Sequence, residues 1–219
     1  DYGYDFERPM SFSTADITVL SPNGMEIITQ GRPMGSQDLG KMKKVTWKVE
    51  RPVPSFSLNG GLYEVYEARI HGIDCAFYVH PSHKKQVAFF EEAKEQAVEA
   101  LEQILDVMEQ ETSLPYPYPR LSLVEVPFQV QWYYEGWQET GGLAQPGVLM
   151  IEEDVLMRLG LSRRFKWMQR RQRQNDDPAK IKRDLLVSSL LNTFFAKEAS
   201  RSGIYRSPVV QLWSFDKEF

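Results

Sequence analysis

Residues 84–110 read KKQVAFFEEAKEQAVEALEQILDVMEQ, a run of helix-forming residues with regularly spaced apolar positions. The apolar residues recur at three- and four-residue steps, while Glu, Lys and Gln fill the other positions. The residues of this stripe are Val87, Phe90, Ala93, Ala97, Leu101, Leu105 and Met108. The pattern predicts one long amphipathic α-helix.

The chain before this helix has the composition of a β domain. Short apolar or alternating runs separated by turn residues predict strands at 11–20, 25–29, 44–49, 56–58, 62–70 and 74–79. Residues 31–40, which contain three glycines, predict a loop, and His71-Gly72-Ile73 predicts a hairpin turn. Because the alternation stops at Pro81, we predict a domain boundary there, with one domain at residues 1–80 and another at 81–219.

The chain after the helix mixes strands and helices. Residues 114–127, LPYPYPRLSLVEVP, contain alternate prolines that forbid a helix and predict an extended segment leading into a strand. Further strands are predicted at 121–126, 130–134 and 147–151. A last helix is predicted from Pro178, with Asp177 as its N-cap. The fold class is therefore α+β, with an N-terminal antiparallel β domain followed by a mixed α/β domain.

Composition excludes several classes of protein. The 219 residues are 42% hydrophobic and 26% charged, which argues against disorder and coiled coil. A net charge of -4 does not favour nucleic acid as a partner. One cysteine, Cys75, and three histidines exclude a Cys-rich zinc finger. No apolar run is as long as the roughly 20 residues of a membrane-spanning helix.

Residues 160–175 are strongly basic and contain interleaved aromatic residues, Phe165 and Trp167. Such a mixture can bind phosphate or RNA. The favoured interpretation is a solvated helix face from which Phe165, Trp167 and Met168 pack onto the core.

Motifs for common catalytic chemistry are weak or missing in this sequence. It has no Gly-x-Ser-x-Gly elbow and no phosphate-binding Gly-x-x-x-x-Gly-Lys loop. His80 and His83 have the spacing of metal ligands, but Pro81 between them favours a turn over a shared helical face. A nucleophilic or metal centre is therefore not predicted from these residues.

Three segments in order resemble the alanyl aminopeptidase (aminopeptidase N) family of zinc metallopeptidases. Residues 11–31 are similar to the end of that family's N-terminal β domain, and residues 47–65 to the strands that follow. Residues 114–127 resemble the family's Pro-Tyr-Pro segment. The resemblance implies a partial N-terminal β domain, saddle- or sandwich-like, joined to the first lobe of a thermolysin-like catalytic domain.

The resemblance also implies where a substrate would bind. The family's Gly-x-Met-Glu-Asn strand holds the peptide, and its glutamate binds the free amino terminus. The matching stretch here is residues 141–145, GGLAQ, in which Gly142, Ala144 and Gln145 align with the motif and Gly147 follows. Ala144 stands at the position of the glutamate. A methyl group cannot pair with an ammonium ion, so this anchor is predicted to be lost.

The zinc motif is altered in the same way. The family's His-Glu-x-x-His helix aligns with residues 186–196, where Ser188 and Asn192 replace the two histidines and Ser189 replaces the catalytic glutamate. Hydroxyl and amide groups hold Zn²⁺ poorly against water. Asp216 could be a relic of the third ligand. Zinc, the cofactor expected for the family, is therefore predicted to be absent, and no other cofactor is predicted.

These observations predict a pseudoenzyme that binds an extended peptide or protein segment by strand addition along residues 147–151, expected to be an open edge, or that acts as a scaffold or interaction domain of a larger protein. One alternative is part of an active zinc aminopeptidase whose metal motif follows residue 219. A second is an interaction module built on the basic segment. Asp1 in place of Met favours a portion of a longer chain. Since bacterial members of the family are fused to multi-span permeases, the resemblance also allows an extracytoplasmic or membrane-tethered parent protein. No compartment is predicted directly.

Overall fold

The computed structural model describes residues 12–53, 56–127, 143–153, 160–171 and 177–194, which form a mixed α+β structure. The predicted strand at 130–134 lies outside these residues. The strands are β1 (Ser13–Pro22), β2 (Glu26–Ile28), β3 (Arg32–Asp38), β4 (Met42–Val53), β5 (Asn59–Gly61), β6 (Glu64–Ile70), β7 (Ile73–Val79), β8 (Arg120–Val126), β9 (Leu143–Gln145) and β10 (Val148–Glu152). The helices are α1 (Lys84–Glu92), α2 (Lys94–Thr112), α3 (Leu161–Arg171) and α4 (Pro178–Phe194).

The largest sheet has five strands in the order β6-β7-β8-β10-β9. Its three central strands, β7, β8 and β10, run parallel, and the two outer strands are antiparallel to their neighbours. Parallel neighbours need a crossover connection, and α1 and α2 supply the one between β7 and β8. The antiparallel hairpin of β6 and β7 turns at His71 and Gly72, which both have positive φ, as predicted for residues 71–73.

The five-stranded sheet buries both of its faces. Alternate side chains of β7 and β8 point to opposite sides, so Cys75 and Leu123 join the helices in one core while Ala76 and Val124 join a second core. The helix-side core also contains Phe89, Leu149, Leu185 and Leu186. The other face packs against Ile28 of β2. The five-stranded sheet therefore lies between the helices on one face and β2 on the other.

The small sheets are antiparallel. One has the order β1-β4-β3, and the other pairs β2 with β5. The predicted loop at residues 31–40 is wrong, because β3 pairs with β4 over most of that range, with an irregularity between Pro33 and Gly35. The strand predicted at residues 56–58 is also wrong, since the strand of this region is β5.

The long helix predicted at residues 84–110 is interrupted. Ala93 leaves the helical conformation, with φ -123° and ψ 35°, and separates α1 from α2. Its side chain is fully buried. The break follows two adjacent phenylalanines, Phe89 and Phe90, which make edge-to-face contacts with Phe165 and Phe77 respectively. One continuous amphipathic helix is therefore a wrong prediction at this position.

The predicted boundary at residues 80 and 81 marks a change of secondary structure. The sheet itself continues across it, because β7 before residue 80 pairs with β8 after it. The start of α4 is confirmed in detail. Asp177 accepts a hydrogen bond from the backbone N–H of Ala179 at 3.0 Å, and Pro178 is the first helical residue. No described helix is both long enough and apolar enough to cross a membrane.

Candidate functional site

The segment that resembles a substrate-binding strand forms the outer hairpin of the five-stranded sheet. β9 pairs antiparallel with β10, and Pro146 and Gly147 make the two-residue turn between them. Gly147 has φ 75°, a conformation that glycine adopts readily. Its carbonyl accepts a hydrogen bond from the backbone N–H of Ser122 at 2.8 Å. Gly147 thus has a structural role in placing the hairpin on β8.

Among the described residues, the edge strand at this side of the sheet is β9 and not β10. β10 lies between β8 and β9, so the sequence-based expectation that residues 147–151 present an open edge is wrong. Beyond β9 no further strand pairs within the described part of the chain. In an antiparallel hairpin with a two-residue loop, the flanking residues Gln145 and Val148 form a hydrogen-bonded pair, and the bonding alternates from there. The backbone N–H and C=O of Ala144 therefore point to the outer edge.

The helix that resembles a zinc helix is α4, which contains Ser188, Ser189 and Asn192. Ser188 is half-buried, and its hydroxyl donates a hydrogen bond to the carbonyl of Leu185 at 3.1 Å. Leu185 and Leu186 are buried in the same core as Leu149, the β10 residue that pairs with Ala144. The helix and the hairpin are therefore joined through one core. Gly142 and Asp216 lie outside the described residues.

The described donor atoms do not form a recognisable metal centre. Within the ranges that the structure describes, no three His, Cys, Asp or Glu side chains are grouped to hold a metal ion. The hydroxyl of Ser188 uses its proton in a bond to its own helix, as Ser and Thr often do in helix interiors. Ser188, Ser189 and Asn192 do not fit zinc, because zinc prefers imidazole, thiolate and carboxylate ligands.

A cleft of ≈ 330 Å³ opens beside the turn of the outer hairpin. Pro117, Tyr118, Pro119 and Pro146 form part of its wall. Its charged residues are four cations and one carboxylate, namely Arg32, Lys48, Arg51, Arg120 and Glu50. Sequence reasoning missed this cleft because its residues come from four separate segments. Glu50 forms an ion pair with Lys48 at 3.7 Å, and the cations that outnumber it in the lining favour an anionic group.

A buried carboxylate lies at the opposite end of β8. The Glu125 side chain is 2% exposed, and it accepts hydrogen bonds from the backbone N–H of His80 at 2.7 Å and from Nδ1 of His83 at 2.8 Å. His80 and His83 belong to a single helical turn just before α1, as the turn interpretation predicts. Both residues contact the carboxylate of Glu125 on β8. The only sequence signal was one charge within the apolar run SLVEV. The bonds to Glu125 attach the helical layer to β8.

The basic helix α3 differs from expectation at one residue. Phe165 and Met168 pack against the helix-side core, as predicted. Trp167 does not, since it is 54% exposed. Arg163, Arg164, Lys166 and Arg170 are exposed as well. The predicted helix is thus confirmed, but its indole belongs to the solvent-facing side.

Cys75 supplies a test of the helix-side core. The thiol is the chain's single one, it is 5% exposed, and burial raises its pKa from 9.0 to about 11. We expect the native protein to react with a maleimide at least ~100-fold more slowly than the protein in urea, because the thiolate is the reactive form. Mass spectrometry of labelled samples over time would measure this. Fast labelling of the folded chain would contradict the burial of Cys75.

The same shift has a consequence at high pH. A raised pKa means that the folded state holds the thiol proton more tightly than the unfolded state. This contribution to stability is complete below pH 9.0 and is lost as the pH rises toward about 11. The thiol is therefore protonated in the folded protein at neutral pH.

No protein-family model matches the chain, and no curated protein matches it. The function of the protein is therefore inferred from its residues and their geometry.

Proposed function

We propose that this chain is a zinc-free, thermolysin-like module of aminopeptidase-N type that binds an extended peptide by strand addition along β9. The observation that carries the proposal is the position of β9 as the outermost strand, with the backbone N–H and C=O of Ala144 facing away from β10. A peptide placed there would continue the antiparallel pairing through main-chain hydrogen bonds.

The replaced residues define the kind of peptide. In relatives that are active, the residue at the position of Ala144 binds a free amino terminus. Alanine offers no charge for that purpose, so the module accepts internal segments as well as chain ends. Ser188, Ser189 and Asn192 in α4 support binding without hydrolysis, since this set has no general base and no good zinc ligand.

The cleft adds a preference for acidic residues. β9 ends at Gln145, and the next residue, Pro146, lines the cleft. A peptide that extends past this end of β9 reaches Arg32 and Lys48, which are both exposed. We therefore expect acidic residues at this end of the peptide to strengthen binding in a salt-dependent manner.

The test is a substitution that removes one outward donor. Ala144→Pro eliminates the backbone N–H at the outer edge and spares the bonds to β10, since proline is tolerated in edge strands. We expect the affinity for a fluorescent, doubly blocked peptide of alternating Val and Thr with two terminal Glu residues to fall about tenfold. Fluorescence anisotropy would measure the affinity.

Two controls sharpen this result. Ala144→Val keeps the donor and should retain affinity within about threefold, since it changes the side chain alone. Circular dichroism would show that both variants fold. Equal binding by the Pro and Val variants would refute strand addition at β9, and stoichiometric zinc in the purified chain would refute the zinc-free assignment.

A further inference from the structure

The outward face of α3 concentrates positive charge around one exposed aromatic ring. Successive residues of an α-helix are about 100° apart, so Arg163 and Arg170 lie about 40° and 60° to one side of Trp167. Arg164 lies about 60° to the other side of Trp167. The indole is 54% exposed, and four of the five cations of this helix, Arg163, Arg164, Lys166 and Arg170, are exposed too. Leu161, Phe165 and Met168 hold the opposite face against the core.

The helix itself contributes no acidic residue to this surface. The sequence of α3, LSRRFKWMQRR, contains no Asp or Glu, although the chain as a whole has four more acidic than basic residues. In a chain with net charge -4, a helix with five cations and no carboxylate forms a local positive patch. A positive patch of this kind attracts an extended anionic surface.

We propose that α3 docks the protein onto an anionic phospholipid surface. Exposed Arg and Lys side chains are attracted to the negative charge of such a leaflet, and an indole prefers the headgroup region between water and hydrocarbon. Single-stranded nucleic acid is bound by grooves with several stacking rings, whereas α3 presents a single ring on a convex helix. The depression beside Trp167, ≈ 310 Å³ and lined by Arg163, Arg164 and Met168, suits one headgroup.

Vesicle co-sedimentation with the full chain tests the proposal. We expect binding to vesicles that contain phosphatidylserine, weak binding to pure phosphatidylcholine vesicles, and steep weakening with added salt. Arg163→Gln combined with Arg170→Gln should lower the partition coefficient about 25-fold, from roughly fivefold for each charge. Trp167→Ala should lower it about tenfold, and that effect should persist at high salt.

A matched double variant controls for net charge. Lys41→Gln combined with Lys44→Gln removes two exposed cations from β4 and the turn before it, and changes the total charge equally. Full binding by this variant would support the assignment to α3. An equal loss in both double variants, equal binding to the two kinds of vesicle, or tighter binding to polyuridine or polyglutamate than to phosphatidylserine vesicles would each overturn it.

Discussion

Gly31→Ala is expected to lower the free energy of unfolding by ~4 kcal/mol, which places it among the most damaging single substitutions. Gly31 has φ 85° and connects β2 to β3. A Cβ atom there would overlap the carbonyl oxygen of Lys48, and it would lie 2.8 Å from the Lys48 carbonyl carbon and 2.9 Å from the Val49 Cα. These atoms belong to the backbone of β4, so no side-chain rotation can relieve the contact.

The neighbouring residues prevent a backbone shift. Gln30 is 1% exposed, and its side-chain amide donates to the hydroxyl of Ser57 at 2.8 Å and accepts from the Ser57 N–H at 2.8 Å. Moving Gly31 away from β4 would break these buried bonds, each of which is costly to leave unmade. The strain therefore remains in the folded state. Urea denaturation followed by circular dichroism would measure the loss.

Gly40→Ala separates conformational strain from the clash. Gly40 has φ 86°, nearly that of Gly31, but a Cβ atom at Gly40 meets nothing within 4 Å. We expect this variant to lose only about 1 to 2 kcal/mol, the usual cost of a left-handed residue. A Gly31→Ala loss no larger than the Gly40→Ala loss would show that β2, β3 and β4 do not meet as closely as described.

Local sequence patterns predicted the elements whose causes are local. The N-cap at Asp177, the turn at His71 and Gly72 and the strand at residues 121–126 are each determined by a few adjacent residues, and all three are confirmed. The strand β3 was missed because Pro33 and Gly35 are typical of loops. β3 forms because β4 offers a pairing edge, which is a long-range effect that intrinsic propensity does not contain.

In the candidate site, too, local features could be predicted and long-range pairing could not. The sequence predicted a strand at residues 147–151, and the family resemblance implied another at 141–145, but the order β8-β10-β9 decides which of them is the open edge. The order depends on pairing between distant residues, so the exposed edge could not be read from residues 147–151. The contact of Glu125 with His80 likewise joins residues that are 45 positions apart.

Arg120→Ala is expected to lower the free energy of unfolding by ~3 kcal/mol. The Arg120 side chain is 9% exposed and donates hydrogen bonds to the hydroxyls of Tyr78 at 2.8 Å and Ser122 at 3.2 Å. Its guanidinium lies over the ring of Trp47, 5.9 Å from the centroid, and so links β8 to β4 of the small sheet. Truncation leaves a cavity and two buried hydroxyls without this donor. The ion pair with Glu67 adds little, because that carboxylate is 68% exposed.

A double-mutant cycle with Tyr78 isolates the hydrogen bond from the cavity. Arg120→Met preserves most of the side-chain volume but leaves the Tyr78 hydroxyl unpaired, and we expect a loss of ~2 kcal/mol. Adding Tyr78→Phe removes that hydroxyl, so the double variant should be no less stable than Arg120→Met alone. The coupling arises because burying a donor or an acceptor destabilises the fold most when its partner is missing, and least when both are present or both are removed. If the losses of the two single variants in urea denaturation add up in the double variant, the bond between Arg120 and Tyr78 does not stabilise the fold. The packing of Arg120 against Trp47 would then be the link between the two sheets.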